Sequence, residues 1–332
     1  MRLSHGLGAL PDAVPSCVTV GFFDGVHRGH QAVFARTVEA ARAEGLRSVA
    51  VTFDRHPREV FAPGTEPPLI TTLARKAELV AAQGIDLLLV LEFTAELAAW
   101  PPEDFARRAL AEALGARRIV VGANFTFGHR AAGTLATLAE LGGELGFAAE
   151  GVGLLEVEGR PVSSSAIRAA VAEGELAWPR SALGRPFAIE GIVGAGAGRG
   201  AGLGYPTANL QVPPRMLLPR AGIYAGRAAV GAAGDRAAPT GSTVRTAAVN
   251  VGTNPTFGHE PFHVEAHLLD FAGDLRGRSV VLELWQRLRD EERFGEVDDL
   301  VRQIAADVER TREVMAGATG EAPVPTAASP GS

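Results

Sequence analysis

Two histidines three residues apart, His27 and His30, stand where a predicted strand runs into a predicted helix. Side chains three apart share one face of a first helical turn, and the backbone amides at a helix N-terminus form a site for anions. Phosphate is the natural ligand of such a turn, and Gly29 removes a side chain where a nucleotide would approach the backbone. On spacing alone, a pair of metal ligands and an ordinary capped turn remain as alternatives.

A second predicted helix start combines hydroxyl groups with a cation. The run SSSAIR (163–168) places Ser164 and Ser165 at the start and Arg168 one turn inside the helix. This pattern predicts another anion-binding turn, with the arginine as a bidentate donor to phosphate. Serine-rich helix starts are also common as simple caps, so the pattern gains weight only together with the histidine pair.

A glycine-rich run leads into the short motif PTAN (206–209) in the second half of the chain. Six glycines alternate with other residues over 194–204, among them Gly198, Gly200 and Gly204. Glycines let a backbone fold tightly around a polyphosphate and offer amides to it, although a flexible surface hairpin would also be glycine-rich. The side-chain oxygens of Thr207 and Asn209 could both bind a hard cation such as Mg²⁺.

Glu265 lies in a segment, 263–271, in which apolar and polar residues alternate. In a strand, this alternation places His263, Glu265 and His267 on the face opposite Val264. Glu265 is then available as a general base. A histidine-glutamate-histidine metal site has the same geometry, and a solvated strand face is the simplest alternative.

The elements that position these residues differ between the two halves of the chain. The first half alternates apolar strand-like runs with helical patterns, which is typical of a parallel sheet wound with helices. Its predicted strands are 16–21, 47–53, 86–91, 118–122 and 147–152, and its predicted helices are 28–44, 72–83, 103–114, 135–145 and 164–173.

The second half contains short alternating strands, which predict a small antiparallel barrel closed by a C-terminal helix. The predicted strands are 188–193, 223–230, 246–251, 263–271 and 280–285, and the helix follows an apolar stripe from Val297 to Val308. A proline and polar residues break the helical pattern near 178–181, so we expect domains at 1–182 and 183–316. The small, proline-rich remainder, 317–332, is expected to be disordered.

Composition excludes several classes of protein. Of the 332 residues, 46% are hydrophobic and 21% charged, which is a globular composition, and the net charge of -6 without a basic patch disfavours nucleic acid as a partner. A single cysteine, no signal sequence and no long apolar run fit a cytoplasmic protein outside the membrane. The sole lysine, Lys76, does not follow a glycine-rich loop, so the chain has no GxxxxGK[ST] phosphate loop.

The motifs and their order resemble a known family. The two helix starts resemble those of HxGH nucleotidylyltransferases, and GFFDGVHRGH (21–30), TFDRHP (52–57), VGANFTFG (121–128) and SSSAIR resemble the adenylyltransferase half of bacterial bifunctional riboflavin kinase/FAD synthetases. The second half resembles the flavokinase half of that family through LGRPF (183–187), LGYPTANL (203–210), AGIY (221–224), VNVGTNPTF (249–257) and VEAHLLDF (264–271).

The resemblance implies an HxGH nucleotidylyltransferase-like domain followed by a flavokinase barrel, with riboflavin, FMN and ATP as substrates and Mg²⁺ with the ATP. It implies that His27 and His30 stabilise the reacting phosphates, that Arg168 binds the triphosphate, and that Asn124 positions flavin or phosphate. Phe53 and Phe125 could form walls around the flavin. The remaining nucleotide-binding residues implied by the motifs are Gly21, Phe22, Asp24, Gly29, Ser164 and Ser165.

In the second half, the resemblance implies that Thr207 and Asn209 bind Mg·ATP and that Glu265 activates the ribityl 5′-hydroxyl.

Two alternatives to a bifunctional enzyme remain. Arg55, Thr126 and Thr134 depart from the residues common in the family, which allows a riboflavin kinase whose adenylylation site has degenerated. The other is a flavin-binding protein without turnover. The sequence leaves the oligomeric state open.

Overall fold

The computed structural model of the protein describes residues 1–10, 13–196, 198–233, 243–253, 256 and 262–318. The chain divides into two compact units. The first comprises Met1–Pro67 and Lys76–Ser163, and the second comprises Pro68–Arg75 and the residues from Ser164 onward. The predicted disordered segment lies outside the described residues from position 319, and Gly317 still belongs to the last helix.

The first unit is built around a six-stranded sheet in which every neighbouring pair is parallel. Its strands are β1 (Arg2–His5), β2 (Ser16–Val20), β3 (Arg47–Phe53), β4 (Leu87–Leu91), β5 (Ala116–Gly122) and β6 (Ala148–Val152), in the spatial order β1-β4-β3-β2-β5-β6. The central strand β2 is buried throughout, as expected for a parallel sheet covered on both faces. This confirms the predicted wound parallel sheet and adds the edge strand β1, which the sequence did not predict.

Helices surround this sheet close to their predicted positions. They are α1 (Arg28–Glu44), α2 (Leu73–Ala81) and α3 (Leu135–Leu145), with short segments at Arg58–Phe61, Ala95–Ala98 and Pro102–Asp104 and a π-helical stretch at Phe105–Ala113. Helix α1 has its predicted bounds because His27 caps its start and Gly45, at φ 64°, ends it in a left-handed conformation. The two-residue strands Thr126–Phe127 and Gly133–Thr134 pair, as do Glu156–Val157 and Arg160–Pro161.

The order of strands reverses next to β2. Strand β3 follows β2 on one side, and β5 lies on its other side. Because all six strands are parallel, the turns after β2, β3 and β5 leave the sheet at the same edge. In open α/β sheets, ligands bind at the carboxyl edge where the order reverses. The turn that carries the histidine pair follows β2 and therefore lies at this position.

The second unit contains a closed antiparallel barrel of six strands, which confirms the predicted architecture. Its strands are β7 (Phe187–Gly194), β8 (Ala208–Gln211), β9 (Gly222–Ala233), β10 (Thr243–Gly252), β11 (His263–Leu268) and β12 (Arg278–Arg289), in the order β7-β8-β11-β10-β9-β12. Its helices are α4 (Ser164–Ala172), α5 (Ala177–Leu183), a short turn at Arg199–Gly202 and the closing helix α6 (Val297–Gly317).

One strand of this unit was missed in the sequence, and one local prediction was wrong. Strand β8 was not predicted, because its four residues are too few to show an alternating pattern. The expected break of the helical pattern at 178–181 is wrong, since these residues lie within α5. Pro179 is in the first turn of that helix, where backbone amides have no intrahelical partner to lose. The domain limits 1–182 and 183–316 stay predictions.

Candidate active sites

The turn between β2 and α1 is strained and buried. Phe23 and Val26 have left-handed backbones, with φ of 53° and 41°, although neither is glycine. A β-branched residue in this region is an outlier, and such strain persists only where the surrounding structure enforces it. Burial does so here, because Asp24 and Val26 are 1% and 0% exposed. The turn is therefore held in one conformation before any ligand binds.

His27 and His30 lie one above the other at the start of α1. Nδ1 of His27 accepts a hydrogen bond from the backbone amide of His30 at 3.3 Å, and the two rings stack with centroids 3.5 Å apart. Burial, the His27 ring and the charge of Lys76 hold the pKa of His30 well below its usual value. Because Nδ1 of His27 is an acceptor, its Nε2 carries the proton of the neutral ring. The pair thus offers imidazole donors to an anion rather than two full charges.

Gly29 and Gly21 leave room for side chains of the same turn. A Cβ on Gly29 would lie 3.2 Å from both Cε1 and Nδ1 of His27, and a Cβ on Gly21 would lie 2.7 Å from the Phe23 ring. From the sequence, the absence of a side chain at Gly29 was ascribed to the approach of a nucleotide. The structure adds a second reason, because the glycine leaves room for the His27 ring.

Lys76 is a member of this site that the sequence did not reveal. It is 3% exposed, its Nζ lies 4.1 Å from the centroid of the Phe22 ring, and it donates to Oγ1 of Thr52 at 3.4 Å. Burial lowers the pKa of Lys76 to about 8, against the opposing effect of the Asp24 carboxylate. The sequence offered one signal for this residue, because Lys76 is the only lysine of the chain.

Asn124 lies at the tip of the turn after β5, next to β2 in the sheet. Its side chain is exposed, and the turn is closed by a hydrogen bond from the Phe125 amide to Gly122 at 2.9 Å. Two aromatic clusters border the same edge. Phe125 stacks on Phe127 with centroids 5.6 Å apart, and Phe53 meets Phe93 edge to face at 5.1 Å. Asn124 is accordingly available to a ligand, whereas Phe127 is buried in the core and Phe53 and Phe125 are half-buried against it.

The second predicted phosphate-binding helix start belongs to the other unit. Helix α4 begins at Ser164, with Ser165 in its first turn, as the sequence predicts. Nε of Arg168 donates to the carbonyl of Pro68 at 2.7 Å within that unit. Since His27 and His30 belong to the first unit, their joint action with Ser164, Ser165 and Arg168 stays a prediction.

In the barrel, three polar residues stand side by side on neighbouring strands. Glu265 on β11 pairs in register with Asn209 on β8 and with Asn250 on β10. Residues of β11 alternate between half-buried and buried, so Glu265 lies on the predicted face together with His263 and His267. Oε2 of Glu265 accepts a hydrogen bond from Thr207 at 3.4 Å, and Nε2 of His263 lies 3.7 Å from its other oxygen. Asn250 was missed because strand register cannot be seen in sequence.

The glycine run folds tightly against PTAN. Gly198 and Gly204 have left-handed backbones, with φ of 69° and 86°. A Cβ on Gly200 would lie 2.3 Å from the carbonyl oxygen of Tyr205, and a Cβ on Gly196 only 2.1 Å from Nδ2 of Asn209. These glycines therefore bring the loop against Asn209 and Tyr205, which is the tight fold that the sequence predicted.

The loop, the three strands and α6 enclose a cavity of about 450 Å³, the size of a small-molecule site. Helix α6 contributes the apolar residues Leu300, Ile304 and Val308, while Glu265 and Thr207 lie on the polar side. A small molecule with an apolar ring system at one end and a polar group at the other would match this lining.

Comparisons with known proteins match both halves of the chain. A family model described as FAD synthetase matches residues 11–166, and one described as riboflavin kinase matches residues 183–315. The bifunctional riboflavin kinase/FMN adenylyltransferase of Pseudomonas fluorescens is 38% identical over 324 residues, covering 95% of this chain and 98% of that protein. The chain belongs to this bifunctional family. The Escherichia coli K12 protein of the same name is 36% identical over 315 residues, covering 94% of this chain and 97% of that protein.

A solved structure has the same two-part fold. It is described as a macrolide-efflux protein from Streptococcus pneumoniae, shares 30% identity and a TM-score of 0.80, and covers 94% of this chain and 99% of its own. That description applies to the Streptococcus protein alone. In the part of the present chain that the structure describes, no helix has the length and apolar character needed to cross a bilayer.

Members of this bifunctional family use ATP, and such enzymes typically need a divalent metal. The barrel residues fit a metal held mainly by nucleotide phosphates, because Thr207, Asn209 and Glu265 bring hard oxygen atoms together. Among the described residues, no three histidine, cysteine, aspartate or glutamate side chains form a metal-binding group. That finding speaks against the histidine-glutamate-histidine site considered from the sequence.

The cavity wall formed by α6 is attached to the barrel by an ion pair. Arg289, at the end of β12, donates to Asp307 through Nε at 2.9 Å and Nη2 at 2.7 Å. Gln303 donates to the same carboxylate at 3.0 Å, and the two charged side chains are only 18% and 10% exposed. The pair fixes the register of α6 on the barrel, and its residues are too far apart in sequence to have been predicted.

Proposed function

We propose that this family member phosphorylates riboflavin to FMN at the barrel and adenylylates FMN to FAD at the first unit. The observation that carries the proposal is the presence of two separately built groups of residues: a stacked histidine pair at the start of α1, and a carboxylate aligned with two asparagines in a cavity. The substrates are riboflavin, FMN and ATP.

For the kinase reaction, Glu265 accepts the proton of the ribityl 5′-hydroxyl, and that oxygen attacks the γ-phosphorus of ATP while ADP leaves. Thr207 and Asn209 would hold Mg²⁺, whose charge offsets that of the phosphates when it is bound. The flavin ring is assigned to the apolar side of the cavity beneath α6, and Gly198, Gly200 and Gly204 lie in the loop assigned to the polyphosphate.

For the adenylyl transfer, an oxygen of the FMN phosphate attacks the α-phosphorus of ATP, and pyrophosphate leaves. The reaction needs alignment and charge neutralisation rather than a covalent nucleophile. His27 and His30 are assigned to the reacting phosphates, and Asn124 to FMN. Gly21, Phe22, Asp24 and Gly29 are assigned to the nucleotide-binding turn, with Ser164, Ser165 and Arg168 as further phosphate ligands.

The rival function is a riboflavin kinase with a degenerate adenylylation site. Two of the unusual residues that motivate it have structural roles. Thr126 and Thr134 are partners in a two-residue strand pair, and Thr134 caps α3 by accepting from the Thr137 amide at 3.4 Å. Threonine is a common helix cap, so its presence there does not require loss of the reaction. Arg55 pairs with Asp54 at 2.8 Å, which restrains its position beside the site.

Incubation of the protein with riboflavin, ATP and Mg²⁺, followed by chromatographic separation of the flavins, tests the proposal. Sequential appearance of FMN and then FAD is expected. FMN alone would favour the kinase-only alternative, and unchanged riboflavin bound to the protein would favour a flavin-binding protein without turnover. Replacing Mg²⁺ with EDTA should stop both reactions.

The cytoplasmic location expected from the sequence stays a prediction.

A further inference from the structure

Lys76 is an exception among the basic residues of this protein. The chain has 32 lysine and arginine residues, and all but Lys76 are arginine. Most positions thus accept the larger guanidinium, whereas this one has a compact ammonium that is 3% exposed. A guanidinium carries five donors that would have to be satisfied in a dry pocket, while an ammonium is a point charge with three.

The contacts of the Lys76 ammonium are weak for a buried charge. Among the described residues its hydrogen bond is a single long one, 3.4 Å to Thr52, and its Nζ makes a cation–π contact 4.1 Å from the centroid of the Phe22 ring. An apolar side chain of the same length would fill that space without a desolvation cost. Burying a cation here is expensive for stability, so a function of the charge is the more economical explanation.

The charged groups that face Lys76 belong to the nucleotide-binding turn. The Asp24 carboxylate, 1% exposed, interacts with it electrostatically, and the ammonium in turn acts on His30, which stacks on His27. Phe22, Asp24 and His30 all lie in or next to the strained turn. Inside a protein the effective dielectric constant is low, so a buried charge acts over several ångströms with little screening.

We propose that Lys76 supplies a fixed positive charge behind the turn 21–30, holding that turn in place and favouring the negative phosphates of the adenylylation reaction. It acts through the turn and through its electric field, so it is a positioning residue. The inference rests on the proposed function of the first unit. Lys76 adds a positive charge to the first unit. The histidine pair does not supply one, and Arg168 belongs to the second unit.

The charge is present at neutral pH and is lost in mild alkali. Because the pKa of Lys76 is about 8, the ammonium is protonated below that pH and neutral above it. The rate of FAD formation from FMN should therefore fall as the pH rises through about 8. Phosphorylation of riboflavin at the barrel should show no such fall, since its residues belong to the other unit.

The test compares Lys76→Met, Lys76→Arg and wild type in both reactions between about pH 6 and pH 10. Lys76→Met is expected to lower kcat/KM for FAD formation by about tenfold or more, the effect of one lost charged contact. Lys76→Arg should retain more activity than Lys76→Met and should lose the alkaline fall, because guanidinium stays charged. A packing role predicts the opposite order, since methionine matches the lysine stem better than arginine does.

A double variant separates two uses of the charge. If Lys76 only neutralises Asp24, then Lys76→Met should cause no further loss of FAD formation in an Asp24→Asn background, and the proposal would be overturned. The proposal requires the double variant to be slower than Asp24→Asn alone. Arg42→Met is the matched control, because it removes a positive charge from an exposed position of α1 and should leave both reactions unchanged.

Thr52→Val provides a measurement if the lysine variants fail to fold. Removing the hydroxyl that accepts from Lys76 disfavours the ammonium, so the alkaline fall should move to lower pH. If the rate of FAD formation in Thr52→Val fell at the same pH as in wild type, the proposal would be overturned. A wild-type protein that makes FMN but no FAD would overturn the proposed adenylylation itself, and normal FAD formation by Lys76→Met would overturn only the role of Lys76.

Discussion

The two proposed sites of this protein would solve the same problem, the handling of ATP phosphates, by different means. In the first unit, a strained turn after β2 holds two stacked imidazoles, and buried charges lie directly behind it. In the barrel, a strand register aligns Glu265 with Asn209 and Asn250 beside a cavity of about 450 Å³. The first arrangement favours neutralisation of the negative charge on two reacting phosphates. The second favours removal of a proton from a hydroxyl.

This difference makes the two activities separable by single substitutions. The largest effect is expected for Glu265→Gln, which keeps the shape of the side chain but removes the base. General base catalysis contributes about 100- to 10,000-fold, so riboflavin phosphorylation should fall by that factor. FMN supplied directly should still be converted to FAD. The measurement is the initial rate of each reaction with the flavins separated by chromatography.

Glu296→Gln is the control for this prediction, because Glu296 is exposed at the start of α6 and outside the cavity lining. It should leave riboflavin phosphorylation at the wild-type rate. If Glu265→Gln abolished both reactions in a protein that melts normally, the sites would not be independent and the comparison would fail.

The next effect concerns the histidine pair. His30→Ala removes one donor to the transferring phosphates and one face of the 3.5 Å stack, so FAD formation should fall by about 100-fold, as on loss of one oxyanion-hole donor. The kinase rate should be unchanged. His5→Ala, an exposed histidine of the same unit, is the matched control. Wild-type FAD formation by His30→Ala would remove this helix start from the reaction.

The two sites also differ in how far the sequence could predict them. The face of Glu265 and the start of α1 could be predicted, because a period of two and a capped helix start depend on neighbouring residues alone. Lys76 could not be placed, since it reaches the turn only through the packing of α2. Nor could Asn250, whose alignment with Glu265 depends on strand register.

The same limit applies to the fold. The sheet and barrel were predictable from runs of alternating and apolar residues. The edge strand β1 and strand β8, each of four residues, are recognisable only by their partners. The ion pair of Arg289 with Asp307 is likewise a product of tertiary packing, because no local pattern brings the end of β12 to α6.

A smaller effect is expected for Thr207, the proposed metal ligand of the barrel. Thr207→Val preserves shape but removes a hydroxyl that lies 3.4 Å from Glu265 and is assigned to Mg²⁺. The Mg²⁺ requirement of riboflavin phosphorylation and the KM for ATP should rise by about tenfold, which corresponds to about 1.4 kcal/mol. FAD formation from FMN should be unaffected. Overlapping Mg²⁺ titrations of variant and wild type would make Thr207 a structural turn residue only.

The smallest expected effect distinguishes two reasons for the same glycine. In Gly29→Ala the new Cβ would lie 3.2 Å from the His27 ring, so that ring must move by a few tenths of an ångström. A displaced ring of this kind costs about 0.5 to 1 kcal/mol, so FAD formation should fall by about threefold. Alanine is also a better helix former than glycine, which favours α1.

If Gly29 serves mainly the His27 ring, the substitution should have no further effect in a His27→Ala background, as measured by a double-mutant cycle of kcat/KM. If it serves the approach of the nucleotide, the threefold loss should persist there, with a higher KM for ATP. A full loss in both backgrounds would mean that the first site depends on open backbone as well as on its imidazoles, and would bring it closer in design to the glycine loop of the barrel.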